Sequence, residues 1–254
     1  MSQKASSTSE RIILPLDVAT EQEALRLVEQ LRGYVGLFKV GLELITSVGP
    51  SIIQKIHNLG GQVFYDGKFK DIPNTVAGAA RAATRQNICM FNVHAMGGSE
   101  MMKAALDASQ KEAQALSIKR PTILGVTILT SIDKRIMNNE LRVKGEVGDQ
   151  VIHLAKLVES VGLDGIIASP QEIGLVRQQV SERLLIVTPG VRPTWASLQD
   201  QKRVMTPGEA ITLGASYLVI GRPITQPPRE IGGVVEAAKR ISEEIQTALE
   251  KLKR

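Results

Sequence analysis

Asp66-Gly67-Lys68-Phe69-Lys70-Asp71-Ile72-Pro73-Asn74-Thr75 is the densest run of chemistry-bearing residues in the chain. A lysine flanked by carboxylates is held in its charged form, because each nearby anion favours the ammonium. That state suits Lys68 to donating a proton better than to attacking a carbonyl as a free amine. Asp66, Lys68 and Asp71 can form an alternating array of charge, which Lys39 extends from an earlier apolar run. The competing reading is a solvated ion-pair network at a strand end. Two further segments, Thr188-Pro189-Gly190-Val191-Arg192 and Ile220-Gly221-Arg222-Pro223, join glycine to arginine. Exposed backbone N–H groups beside a guanidinium are what a phosphate requires. Ordinary glycine turns beside surface arginines are the plainer alternative.

Something must bring these distant segments together. Short apolar runs recur at 12–16, 37–40, 62–65, 90–93, 122–128, 165–168, 184–187 and 217–220. Amphipathic stretches separate them, such as Ala24, Leu25, Val28 and Leu31 after the candidate N-cap Thr20. Val151, Leu154, Leu157 and Val158 repeat the pattern, as do Val234, Ala237, Ile241 and Ile245. Eight such units in 254 residues predict an α/β fold, a single (β/α)8 TIM barrel spanning 11–254 after a disordered tail over 1–10. A doubly wound open sheet shares the alternation. However, no Gly-x-Gly-x-x-Gly follows the first run, and no Pro/Gly-rich linker divides the chain.

In a barrel the active face lies at the strand C-termini. The polar residues fall there: Asp17, Lys39, Asp66 with Lys68 and Asp71, His94, Thr127 and Thr130, Ser169, Arg192, and Gly221-Arg222. The loops after strands seven and eight, which carry the two Gly-Arg segments, often make the phosphate site of barrels. Pro73 fits the first position of the helix that follows. The long connections 131–150 and 190–203 read as lids or binding loops, as surface decoration, or as contacts to a second subunit.

Composition narrows the partners. The net charge is +5, but the cations are dispersed and aromatics make up only 3%, which disfavours nucleic acid and favours a small anionic substrate. No run of eighteen apolar residues spans a membrane, and the Ser/Thr-rich start lacks a secretory h-region. The single Cys89, in a run that looks buried, fits a reducing cytoplasm. No His, Cys, Asp or Glu spacing reads as a metal site; His57 and His153 look peripheral. Gly97-Gly98-Ser99 more simply starts a helix than binds phosphate, and Trp195 reads as a lid anchor.

The run Asp-x-Lys-x-x-Asp-Ile-Pro-Asn-Thr resembles the orotidine 5′-phosphate decarboxylase family, in its bacterial branch. The likeness extends through Leu16-Asp17-Val18, Phe38-Lys39-Val40-Gly41, Leu129-Thr130-Ser131, the Arg192 segment, Asp200-Gln201-Lys202-Arg203 and Gly221-Arg222-Pro223. The resemblance implies cofactor-independent decarboxylation of orotidine 5′-monophosphate to UMP, with Lys68 as the acid, in a homodimer with shared sites. Lys39, Asp66 and Lys68 would act in their own subunit, and Asp71 and Thr75 in the partner's. Asp17 and Lys39 would hold the ribose, Thr130 would lie near the pyrimidine, and Arg192, Gln201, Gly221 and Arg222 would grip the phosphate. Gly67 stands where the family commonly has leucine, and Lys70 where it often has histidine. Gly67 on this reading loosens the strand end. Related barrels that act on sugar phosphates with Mg²⁺ are the nearest rival, with Glu43 the one acidic candidate for the metal. A nucleotide- or RNA-binding barrel without turnover is the rival from another class.

Overall fold

Each of the eight apolar runs becomes a strand, because a strand buried on both faces must be apolar almost throughout. In the computed structural model, which describes residues 7–196 and 205–253, these are β1 (Ile12–Pro15), β2 (Leu37–Val40), β3 (Val63–Phe69), β4 (Met90–His94), β5 (Thr122–Val126), β6 (Gly165–Ile167), β7 (Leu185–Pro189) and β8 (Tyr217–Val219). Every neighbouring pair is parallel, and the order β1 to β8 is closed. Closure is made by Ile12 opposite Leu218 and Ile13 opposite Val219. A closed ring of this kind is the (β/α)8 barrel and excludes the open sheet.

Alternation of side chains along each strand divides the core in two. Inside the barrel Ile13, Leu37, Phe64, Met90, Leu124 and Val187, each from a different strand, pack against one another. The opposite parity, including Leu14, Phe38, Phe91, Ile123 and Ile186, faces outward onto the helices. The helix Glu21–Leu31 shows how these attach. Thr20 accepts the Glu23 N–H at its start, and Ala24, Leu27, Val28 and Leu31 are buried. Leu27 occupies the inward face beside the expected positions, and Leu25 is only partly buried.

At the N-terminal end of the barrel, Arg120 makes a bidentate ion pair with Asp164 at 2.7 and 2.8 Å. Asp164 also accepts the Ile123 N–H, so one carboxylate ties the start of β5 to the start of β6. Within the segment over 1–10 that was expected to be a tail, residues 7–10 are described, and Ser9–Arg11 form a 3-10 turn. The turn is held because Gly36 leaves room for the Glu10 backbone and the Thr8 hydroxyl meets Ser242 at 2.6 Å. Cys89, read as buried, is only partly so; its thiol lies against the Gln62 side-chain oxygen, and burial pushes its pKa up.

The largest departure from the expected strand limits is in β3. It does not end in Asp66 but runs on through Gly67 and Lys68 to Phe69. Tyr65 pairs with Phe91 and Phe69 with Val93, so three residues of β3 face the single residue Asn92 of β4. The chemistry-bearing turn is therefore a bulge within the sheet, held on both sides, and not the beginning of a free loop.

Candidate active site

Inward-facing positions one step above the apolar barrel filling carry the charges. Lys39 follows Leu37 by two residues, Asp66 follows Phe64, and Asn92 follows Met90, so each inherits the inward parity of its predecessor. The four charged groups form one chain. Lys39 Nζ lies 3.1 Å from Asp17 Oδ1 and 3.2 Å from Asp66 Oδ2, and Lys68 Nζ lies 2.7 Å from Asp66 Oδ1. Gly41 keeps the space that this requires, since a Cβ there would stand 2.9 Å from the Lys39 ammonium.

Asp66 is the hinge of this chain and is 7% exposed. Burial alone would raise its carboxyl. The ammonium groups of Lys39 and Lys68, with hydrogen bonds from Lys68 and Asn92, outweigh burial and hold it below the usual carboxylate range. It is therefore an anion at neutral pH, fixed between two cations. Lys68 adopts a left-handed backbone with φ of 48°. For a residue with a side chain this costs about 1–3 kcal/mol and persists only where neighbours impose it. Gly67 does not leave the strand end loose. A Cβ there would meet Phe69 Cε1 at 2.8 Å and Tyr65 Cζ at 3.1 Å, so aromatic rings already fill the space. Tyr65 and Phe69 stack edge to face at 5.6 Å, and Phe69 lies 5.7 Å from Phe91.

These charges line a cavity of about 370 Å³ at the C-terminal mouth, whose wall includes Asp17, Lys39, Asp66, Lys68, Thr130, Arg192, Gly221 and Arg222. Val126, Ile128, Ile167 and Val219 supply its apolar surface. β7 and β8 lie four and three strands around the ring from β3, so Arg192 and Arg222 face the Lys68 side across the mouth. Arg192 is 8% exposed, and its backbone N–H donates to Met205 O at 3.0 Å, closing the neck of the long connection. Gln201 lies outside the described residues. Such a mouth can hold a planar or ring-shaped body against apolar walls, with an anionic group toward the arginines and a reacting atom toward Lys68.

Other sequence-predicted residues are elsewhere. Asp71 and Thr75 do not line this cavity; both are exposed, at the entry to the helix Pro73–Arg85. Asp71 Oδ1 accepts the Ile72 N–H at 2.7 Å. The alternating array within one subunit thus ends at Lys68. Asp71 leaves it because the chain has already turned outward into the Pro73 helix start. Ser169 forms a capping box with Glu172 on the turn Pro170–Glu172. Thr127 donates to the Ile167 carbonyl at 2.8 Å. His94 is partly buried, and burial, with Lys70 and Lys68 adding, holds its imidazole below the usual value against the pull of Asp66. Glu43 sits in the first turn of the helix Leu42–Val48. Among the described residues, no three His, Cys, Asp or Glu side chains gather as metal ligands, and no helix is long and apolar enough to cross a membrane.

Asn92 was not legible as a site residue. It is fully buried, accepts the Lys68 N–H at Oδ1 and donates from Nδ2 to Asp66 Oδ1, both at 2.7 Å. Its signal was the polar residue at an inward position inside an otherwise apolar run.

Comparison with known proteins places the chain in a family and agrees with its barrel fold. The model of the Orotidine 5'-phosphate decarboxylase / HUMPS family matches residues 10–241. A protein of Syntrophomonas wolfei named orotidine 5'-phosphate decarboxylase is 48% identical over 238 residues, 93% of this chain and 98% of that protein. One of the same name from Moorella thermoacetica is 48% identical over 237 residues, 93% of this chain and 92% of that protein. The crystal structure of orotidine 5'-phosphate decarboxylase from Lactobacillus acidophilus superposes with a TM-score of 0.81 at 34% identity, covering 92% of this chain and 98% of the other.

Proposed function

The chain belongs to the Orotidine 5'-phosphate decarboxylase / HUMPS family, and from that premise we propose that it converts orotidine 5′-monophosphate to UMP and CO₂ without a metal or cofactor. The observation that carries this reading is the unbroken sequence Asp17, Lys39, Asp66, Lys68 along one side of a cavity whose other side holds Arg192 and Arg222. Relatives with the name of that activity, at 48% identity over nearly their whole length, support it.

Breaking the bond between C6 and the carboxylate releases CO₂ and leaves the electron pair on C6 of the pyrimidine. The ring offers that pair no evident sink, so a fixed cation beside C6 is the available means of stabilisation. Lys68 serves in this role, then transfers an Nζ proton to C6 and regains one from solvent. Asp66 keeps Lys68 charged and aimed, and Lys39 bridges Asp66 to Asp17, which with Lys39 holds the ribose. Thr130 lies by the pyrimidine. Arg192, Arg222, the Gly221 backbone and Gln201 take the phosphate, whose binding energy helps to organise the site.

The site is completed in a homodimer, where Asp71 and Thr75 enter the partner's cavity. Their exposure on one subunit supports this, as do exposed apolar side chains just beyond three adjacent strands: Leu42 at 57%, Ile72 at 68% and Met96 at 36%. Exposed apolar surface in one region marks an interaction face.

The test is the ultraviolet absorbance change of orotidine 5′-monophosphate with purified protein in EDTA. Conversion to UMP is expected. Folded protein that turns over only a sugar phosphate, and only with added Mg²⁺, sinks the reading. Arg222→Ala should weaken UMP binding by roughly 10- to 100-fold, the scale of a lost charge-assisted phosphate contact. Uridine without the phosphate should bind parent and variant alike. Unchanged UMP affinity, measured by calorimetry, removes Arg222 from the phosphate site.

A further inference from the structure

We propose that Asn92 is a positioning residue that fixes both ends of Lys68, an assignment that rests on the decarboxylase reading. Asn92 stands in the middle of β4 at 0% exposure. An amide so buried costs stability unless both of its polar atoms are bonded. Both are, and both bonds go to the bulge of β3. Between the pairs Tyr65–Phe91 and Phe69–Val93 the ladder is interrupted, and the Asn92 side chain spans the gap. Its Oδ1 accepts the Lys68 backbone N–H, and its Nδ2 donates to Asp66 Oδ1.

The same Asp66 oxygen accepts the Lys68 ammonium at 2.7 Å. A closed ring results: Lys68 N–H to Asn92, Asn92 to Asp66, and Lys68 Nζ back to Asp66. One amide therefore anchors the left-handed backbone of Lys68 and orients the carboxylate that aims its ammonium. The orientation of the amide is dictated, since a flipped group would set its oxygen against the Asp66 carboxylate and its NH₂ against an N–H. Asn92 lines no part of the cavity, so it acts through Lys68 and Asp66 and touches no substrate.

Removing the ring lets Lys68 relax, and a displacement on the order of 1 Å costs about 100-fold in rate. Asn92→Ala should lower kcat by about 100-fold while the Kd for UMP stays within about threefold of the parent. Asn92→Asp, nearly isosteric, supplies a sharper readout. The neutral introduced carboxyl reproduces the amide, with its carbonyl accepting the Lys68 N–H and its hydroxyl donating to Asp66. The ionised form loses the donor and repels Asp66. Burial and Asp66 raise its pKa, while Lys68 and Lys39 lower it, and His94 stands two residues along the strand.

The ratio of kcat for Asn92→Asp to that of the parent should therefore rise toward one as pH falls. A parental kcat in Asn92→Ala, or a ratio for Asn92→Asp that falls as pH falls, overturns the assignment and leaves the decarboxylase reading standing. A folded parent that never converts orotidine 5′-monophosphate overturns both.

Discussion

Replacing Lys68 by alanine is expected to lower kcat by at least about 10⁴-fold while the Kd for UMP changes by less than about tenfold. Two contributions vanish together. A preorganised charge at the site of developing negative charge is worth roughly 10²- to 10³-fold, and a positioned general acid roughly 10²- to 10⁴-fold. UMP carries no carboxylate at C6 and develops no carbanion, so it does not sense either one strongly. The fold should survive. Alanine meets the same left-handed backbone that Lys68 already adopts, and Asp66 keeps Lys39 and Asn92 as partners. The measurement is single-turnover decarboxylation beside calorimetric UMP binding, with thermal melting to verify folding. Retained turnover within tenfold of the parent removes Lys68 from the centre of the chemistry.

The second large effect concerns Asp71, which lies outside its own subunit's cavity. Asp71→Ala should lose roughly 10²-fold or more in kcat, because in the proposed homodimer the partner's Lys68 then lacks its second carboxylate. Mixing that variant with Lys68→Ala and allowing subunits to exchange should restore about a quarter of parental activity. Random pairing makes about half of the dimers hybrid, and each hybrid holds one intact and one doubly damaged site. The control is a mixture of Lys68→Ala with Asp66→Asn. Those substitutions fall in the same half of the shared site, so every hybrid site stays damaged and no activity returns. Absence of recovery in the first mixture, with exchange shown by mass spectrometry, would refute the shared site.

The barrel was legible in the sequence because strands buried on both faces have no room for polar residues, which leaves short apolar runs. Helix signals were equally direct: Thr20 caps the helix that it precedes, and Pro73 takes the first turn of its own. Within the site, Lys39 was legible as the one charge held inside an apolar run, and Asp66 as the residue that ends one. Arg192 and Arg222 follow glycines beyond β7 and β8. The continuation of β3 through Lys68 was not legible, since a strand that carries Asp, Gly and Lys on a bulge has the composition of a loop. Asn92 was hidden for the opposite reason, being one polar residue between Phe91 and Val93. The outward position of Asp71 depends on where the chain turns after Phe69, which residue spacing alone leaves open.

The aromatic packing over Gly67 bears on how this strand end could have changed during descent. With rings at 2.8 and 3.1 Å from the missing Cβ, a leucine at this position cannot be introduced alone without driving Phe69 or Tyr65 aside. Phe69 in turn packs on Phe91 beside the bulge that holds Lys68. Positions 65, 67 and 69 are thus coupled: a side chain at 67 is accommodated only if the ring at 65 or 69 moves or is replaced with it. A larger side chain at 67 is admitted most readily beside a smaller one at 65 or 69. Exchange of residue 67 alone therefore reads out the packing of its two aromatic neighbours more than any property of residue 67 itself.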